Sequence, residues 1–320
     1  MKHRLRTILP FALALIALAA TTADVSAAQK TNKAAVKKGV SWIGKAGMSQ
    51  FGGTGFEADT LSALMAAKRS GAKVTSNVRA RFLKTVTKDA NNYAQTAGSS
   101  AKVILAAVAG GKNPRCFGPA GETTDFYDAL MSYYDAKTGQ FGATAFDQGF
   151  AMLALKAAHV KVPSKAVKFA RERRGQYGWG FAMRKTGGDD VESTSVMIQG
   201  MRAAGVKRTD GALKSAMKWI VFQRNVDGGY NPTTASTPGE TQADTTAYAI
   251  MAGDAVKLYS HQMDRAKRAL RALQQGTGAF RSSVSANSDF HGISTGNAVF
   301  ALSGQHFPVV VRSKAAKACV

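Results

Sequence analysis

Acids are scarce in this sequence and cysteine scarcer. Twenty Asp and Glu face 43 Lys and Arg, and 320 residues hold only Cys116 and Cys319. Two cysteines exclude a disulfide scaffold. In an oxidising compartment they suit one bond tying the C-terminal tail to a mid-chain loop, and two buried free thiols read the same way. There is no Gly-x-Ser-x-Gly elbow, no P-loop and no His-Glu-x-x-His helix, so serine hydrolase, P-loop NTPase and zincin chemistry lack their usual marks. No recognition helix and no sheet interleaved with aromatics is visible, which leaves specific nucleic-acid reading unsupported despite a net charge of +23. The longest apolar run near the N-terminus, residues 8–20, is too short to span a bilayer comfortably. No later segment is long and apolar enough to do so.

That short run is informative for what surrounds it. Lys2, His3, Arg4 and Arg6 precede it and the small-residue site Val25-Ser26-Ala27 follows, the order of a secretory signal peptide. Residues 1–27 are therefore expected to be a signal peptide and the protein secreted. Residues 28–320, 45% hydrophobic over the whole chain, suffice for one domain with a single core.

The most regular stretch is 216–252. Apolar residues recur at helical spacing through Leu213, Ala216, Met217, Ile220 and Val221 until Asp227-Gly228-Gly229-Tyr230, where glycine permits a sharp turn. After a polar loop, Asp244, Thr245 and Thr246 offer side chains for capping, and Ala247, Ile250 and Met251 continue apolar, predicting a second helix. The pattern Ala-x-x-Trp-Ile-x-x-x-Gln-x-x-x-Asp-Gly-Gly-Tyr, followed by Asp-Thr-x-x-Ala-x-Ala, resembles the repeat of the squalene-hopene cyclase and protein prenyltransferase β-subunit superfamily. The resemblance implies an all-α fold, an α6/α6 toroid in which an inner ring of helices is wrapped by an outer one.

Related copies occur along the chain. With positions 60, 100, 148, 194, 246 and 295 taken as equivalent, the steps run from 40 to 52 residues, as in stacked helix pairs. Partner helices are predicted at Ala34–Ile43, Asn77–Tyr93, Thr124–Tyr134, Ser164–Arg174, Asp210–Gln223 and Gln262–Gln274. They carry most of the charge, whereas the alternate segments are Ala, Leu, Met, Gly and Ser. An apolar-all-round helix is buried and a charge-striped one faces water, so the two sets read as inner and outer rings. Neither terminal repeat is visibly more polar, which favours a closed ring over an open solenoid. Phe307-Pro-Val-Val-Val311 is expected to pack against the first pair. Gly-aromatic turns, including Phe51, Phe141, Trp179, Tyr230 and Phe280, precede the inner helices and should gather at one mouth.

Ten of the 20 acids fall at that end: Glu57, Asp59, Asp147, Asp189, Asp190, Glu192, Asp227, Glu240, Asp244 and Asp289. Capping and compensation of the helix dipole account for many of them, at a few tenths to about 1 kcal/mol each. The run Asp189-Asp190-Val191-Glu192 holds more carboxylates than one first turn needs. The functional alternative is an acid-rimmed cavity with an aromatic floor, suited to a cationic or polyhydroxy ligand. Catalytic candidates are Asp189, Asp190, Glu192, Asp244 and His291; ligand-binding candidates are Asp59, Asp147, Trp179, Phe181, Tyr230 and Phe280. The resembled cyclases start carbocation chemistry with an Asp-x-Asp-Asp acid, which Gly187-Gly188-Asp189-Asp190-Val191-Glu192 does not reproduce. The prenyltransferases hold zinc with Asp, Cys and His, and no such set transfers here. No cofactor or metal is expected. Three readings follow: a secreted toroid binding a small or extended ligand in its cavity without inherited chemistry, an isoprenoid enzyme of cyclase or prenyltransferase type, or a polysaccharide-directed α6/α6 enzyme using paired carboxylates. An anionic cell-surface polymer is a further partner by charge alone.

Overall fold

Alanine-rich segments without a charged stripe must be covered on every side, and charged segments with one apolar stripe can do the covering. The computed structural model, which describes residues 29–186, 188–232, 239–286 and 291–309, is built on that division. The outer helices are α1 (29–45), α3 (Ser76–Tyr93), α5 (Phe126–Ser132), α7 (Ser164–Glu172), α9 (Gly211–Phe222) and α11 (Ser260–Ala272). The inner helices are α2 (Thr54–Arg69), α4 (Ala97–Ala109), α6 (Ala145–Ala157), α8 (Val191–Ala203), α10 (Ala243–Val256) and α12 (His291–Leu302). In α3 only Phe82, Val86 and Ala90 are buried, one side at four-residue spacing. In α8 every residue from Ser193 to Met201 is buried.

Each inner helix packs on the next, from α2 through α4, α6, α8 and α10 to α12, and α12 packs back on α2. The ring is closed, as the resemblance implied. Close approach depends on small residues: a Cβ on Gly200 of α8 would lie 2.8 Å from the carbonyl oxygen of Gly149 of α6. Outside, α1 seals the seam. Gln274 Nε2, after α11, donates to the Ala35 carbonyl of α1 at 2.9 Å, and Arg81 Nη2 of α3 donates to the Ile43 carbonyl at 2.5 Å. Gly278 has φ +100°, and a Cβ there would lie 2.5 Å from the Lys38 carbonyl oxygen.

The equivalent positions 148, 194, 246 and 295 do not start their helices. They lie one turn in, where their side chains clamp the Gly-aromatic turns. Backbone N–H groups of Phe141, Trp179, Tyr230 and Phe280 donate to Gln148 Oε1 and to the hydroxyls of Thr194, Thr246 and Thr295 at 2.7 to 3.0 Å. Caps sit earlier: Thr96 and Thr144 form capping boxes with Ser99 and Asp147, and Asp190 caps α8. α10 begins after Gln242 with no side-chain cap, so the capping read into Asp244-Thr245-Thr246 is corrected.

The tail packs on the inner ring. Phe307 meets Phe300 of α12 and Phe150 of α6 at ring-centroid distances of 4.5 and 5.7 Å, and its N–H donates to Gln199 Oε1 of α8 at 3.1 Å. It enters the ring and contacts α6, α8 and α12. Three converging aromatic rings and a satisfied buried amide fill space that the inner helices leave between them. Residues 310 and 311 lie outside the described residues, as do the expected signal peptide and Asp289.

Candidate ligand-binding site at the mouth of the ring

Phe150, Phe300 and Phe307 pack on one another at the centre, and toward the N-terminal ends of the inner helices a cluster of inward-facing polar and aromatic side chains marks a candidate cup. Each of the six inner helices contributes a side chain to it. Asp59 of α2 accepts from Lys102 Nζ of α4 at 2.7 Å. The ammonium sits 5.5 Å from the ring centroid of Phe56 and 5.2 Å from that of Phe150, both negative faces that favour it. Burial works against the charge of Lys102, but Asp59 and Tyr93 outweigh it and its pKa is raised. Burial pushes Asp59 up against the pull of the lysine.

Two further carboxyls lack such compensation. Asp244 of α10 accepts from Asn297 Nδ2 at 2.8 Å and from Ser294 Oγ at 3.3 Å, both on α12. Glu192 of α8 accepts from Thr245 Oγ1 at 2.5 Å. Burial raises both pKa values; Asp59 adds to the rise at Asp244, and Asp244 and Asp190 add to it at Glu192. Among the described residues neither carboxyl is paired with a cation. Tyr248, one turn beyond Asp244, stands among them: its hydroxyl is pushed well up by burial and then by Asp59, Glu192 and Asp244. Its ring meets Phe146 edge-on at 6.2 Å, and Phe146 lies 6.0 Å from Phe150 and 6.1 Å from Phe181. Phe181 and Phe56 are exposed and form the rim.

The candidates from sequence are thus divided. Asp59, Glu192, Asp244 and Phe181 come together here, with Asp190 alongside. Asp190 also accepts the Ser193 N–H at 2.7 Å as the cap of α8, and burial raises its pKa. Asp189 lies apart, its Oδ2 accepting the N–H groups of Tyr177 and Gly178 at 3.0 Å. Asp147 accepts from Gly98, Ala143 and Thr144. Trp179, Tyr230 and Phe280 are fully buried, and the Trp179 indole donates to the Ala170 carbonyl of α7 at 2.7 Å, so these rings join turn to outer ring. His291 opens α12 with a buried Nδ1 that has no hydrogen-bond partner among the described residues. Lys102, Tyr93, Phe146, Tyr248 and Asn297 were missed. Lys102 had a signal, being the one charged residue in Ala97–Ala109. No three His, Cys, Asp or Glu among the described residues are grouped to hold a metal ion.

No family model and no curated protein matches this sequence. Solved structures do. The type II terpene cyclase MstE from Scytonema superposes with a TM-score of 0.58 at 11% identity, covering 86% of this chain and 98% of the cyclase. A single-residue variant of that cyclase in complex with geranylgeranyl dihydroxybenzoate gives 0.59 at 11%, covering 87% and 98%. The fold is the terpenoid cyclase-like α/α toroid. A polysaccharide lyase shares it, with a TM-score of 0.57, 10% identity and 86% and 96% coverage. At these identities the likeness speaks for the fold and leaves the chemistry to the residues. No described helix is long and apolar enough to cross a membrane.

Proposed function

We propose that the protein binds a small cationic ligand, of substituted-ammonium type, in the cup of its toroid, and that it does so without cyclase or prenyltransferase chemistry. The observation that supports this is the imbalance of charge around Tyr248: among the described residues, three carboxyls, from α2, α8 and α10, share Lys102 as their one paired cation. Burying unpaired carboxyls is costly unless they take protons or a cation arrives. With Lys102 taking the rings of Phe56 and Phe150, the exposed Phe181 and the neighbouring Phe146 suit the same guest, because ring quadrupoles attract ammonium groups that shed water readily. Residues 1–27 are taken to direct secretion, so the guest is met outside the cytoplasm.

Binding of choline is compared with binding of 3,3-dimethylbutanol, its uncharged isostere, followed by calorimetry or ligand NMR. Choline is expected to bind and the alcohol not, and Glu192→Gln/Asp244→Asn to remove choline binding in a folded protein. Equal binding of the two compounds would point to an apolar pocket and overturn the charge argument.

Asp244 supports a second reading, as an acid that protonates an isoprenoid alkene beneath aromatic faces. Its hydrogen bonds from Asn297 and Ser294 favour the carboxylate left after proton transfer. Protonating an alkene requires a strong acid, however, and burial with carboxylate neighbours makes Asp244 a weaker one. Cyclisation of a linear polyprene by the wild type and not by Asp244→Asn would restore the enzyme reading.

A further inference from the structure

On the outer surface, away from the cup, α7 and the 135–139 turn enclose a concavity of about 350 Å³. Lys137, Lys165, Lys168, Arg173 and Lys185 line it, and Glu172 is the one carboxylate among its lining residues. Glu172 lies 3.7 Å from Lys168, with both side chains more than half exposed, a pairing that is worth little in water. Two of the cations are held in place. Lys165 Nζ donates to the Ala136 carbonyl at 2.9 Å and keeps two more protons to give, and the Arg173 guanidinium lies 5.2 Å from the ring centroid of Phe169, whose buried side chain supports it from below.

We propose that this concavity is a binding site for a polyanion built of repeated phosphate groups. A single small anion would leave most of the cations unused: Lys165 and Arg173 are separated by about 12 Å along the helix at 1.5 Å per residue. Lys137 and Lys185 come from two other segments and extend the row beyond α7. A flexible chain of phosphates satisfies several such point charges in succession, and four of the five are lysines, whose three rotatable donors adapt to oxygen positions along a chain. The whole molecule's charge of +23 steers such a polymer toward the surface, while the concavity gives it a place to settle. The site stands independently of the ligand in the cup.

Inorganic polyphosphate serves as the probe, with affinity measured by calorimetry at fixed salt. Lys137→Glu/Lys168→Glu is compared with Lys37→Glu/Lys84→Glu, an equal charge change on exposed positions of α1 and α3. Net charge is thereby matched and only location differs. The pocket variant is expected to lose affinity by about tenfold or more and the control by about twofold at most. Lys137→Gln/Lys168→Gln gives the same comparison without introduced acids, and circular dichroism confirms folding of each. Equal losses in pocket and control variants would mean delocalised attraction and no site. So would binding of polyglutamate of matched charge as tightly as polyphosphate.

Discussion

Asp244 and Glu192 were visible as acids near helix starts, but their burden was not. A carboxyl's pKa follows from what surrounds it, and Asn297, Ser294 and Thr245 reach these two from neighbouring helices 50 to 53 residues away in the chain. Lys102 and Tyr248 were hidden for the same reason: a polar residue in an apolar helix faces the middle of a ring only once the ring exists. Trp179, Tyr230 and Phe280 stood out because they sit in turns, yet their rings turn inward to the core. A pH dependence follows. Both carboxyls have folded pKa values above their unfolded ones, so the stability they contribute is full below about pH 4, the ordinary carboxylate value, and is lost as pH rises through the folded values. Glu192→Gln/Asp244→Asn removes these titrations. Relative to wild type it should therefore gain stability steadily from acid toward neutral pH, as read from urea midpoints across that range. A constant difference at all pH values would mean that the two carboxyls titrate alike folded and unfolded.

At the scale of the element, helix identity was well marked in the sequence and helix starts were not. Asp244-Thr245-Thr246 has the composition of a cap, but each side chain is engaged elsewhere: with α12, with Glu192 and with the Tyr230 turn. Thr246 is the test. Its hydroxyl accepts the buried Tyr230 N–H at 3.0 Å, and Thr246→Val keeps the shape while leaving that donor without a partner. A loss of about 1 to 3 kcal/mol in chemical denaturation is expected, against little for Thr246→Ser. Serine losing as much as valine would show that the methyl matters and the clamp does not. The pairing of aromatic turn with a hydrogen-bonding residue one turn into the next helix was legible only as a period; its cause needed three dimensions.

For the whole molecule, closure was readable from repeat number and from terminal repeats no more polar than the rest. The filling of the centre was not, because nothing local to Phe307 tells which surface it meets. Phe307→Ala deletes a ring packed between Phe150 and Phe300 and should cost about 3 to 5 kcal/mol, measured as a loss in the free energy of unfolding. Gly278→Ala should also destabilise, through positive φ and the Lys38 carbonyl together, and loosen α1 in hydrogen exchange. Cys116 is disulfide-bonded, and Cys319, its expected partner, lies outside the described residues. Reducing that bond should raise the mass of the protein by one hydrogen pair, as read by mass spectrometry.

On the proposed function, the carboxyls of the ring await a cation. Choline binding, followed by calorimetry in buffers of different ionisation enthalpy, tests it most directly. A quaternary ammonium carries no exchangeable proton on its charged nitrogen, so any proton released comes from the protein. Between the ordinary carboxylate pKa and the raised values at Glu192 and Asp244, binding should release protons, and Glu192→Gln/Asp244→Asn should abolish both release and binding. Choline binding without proton release throughout that range, or undiminished in the double variant, would mean that Glu192 and Asp244 do not hold the cation.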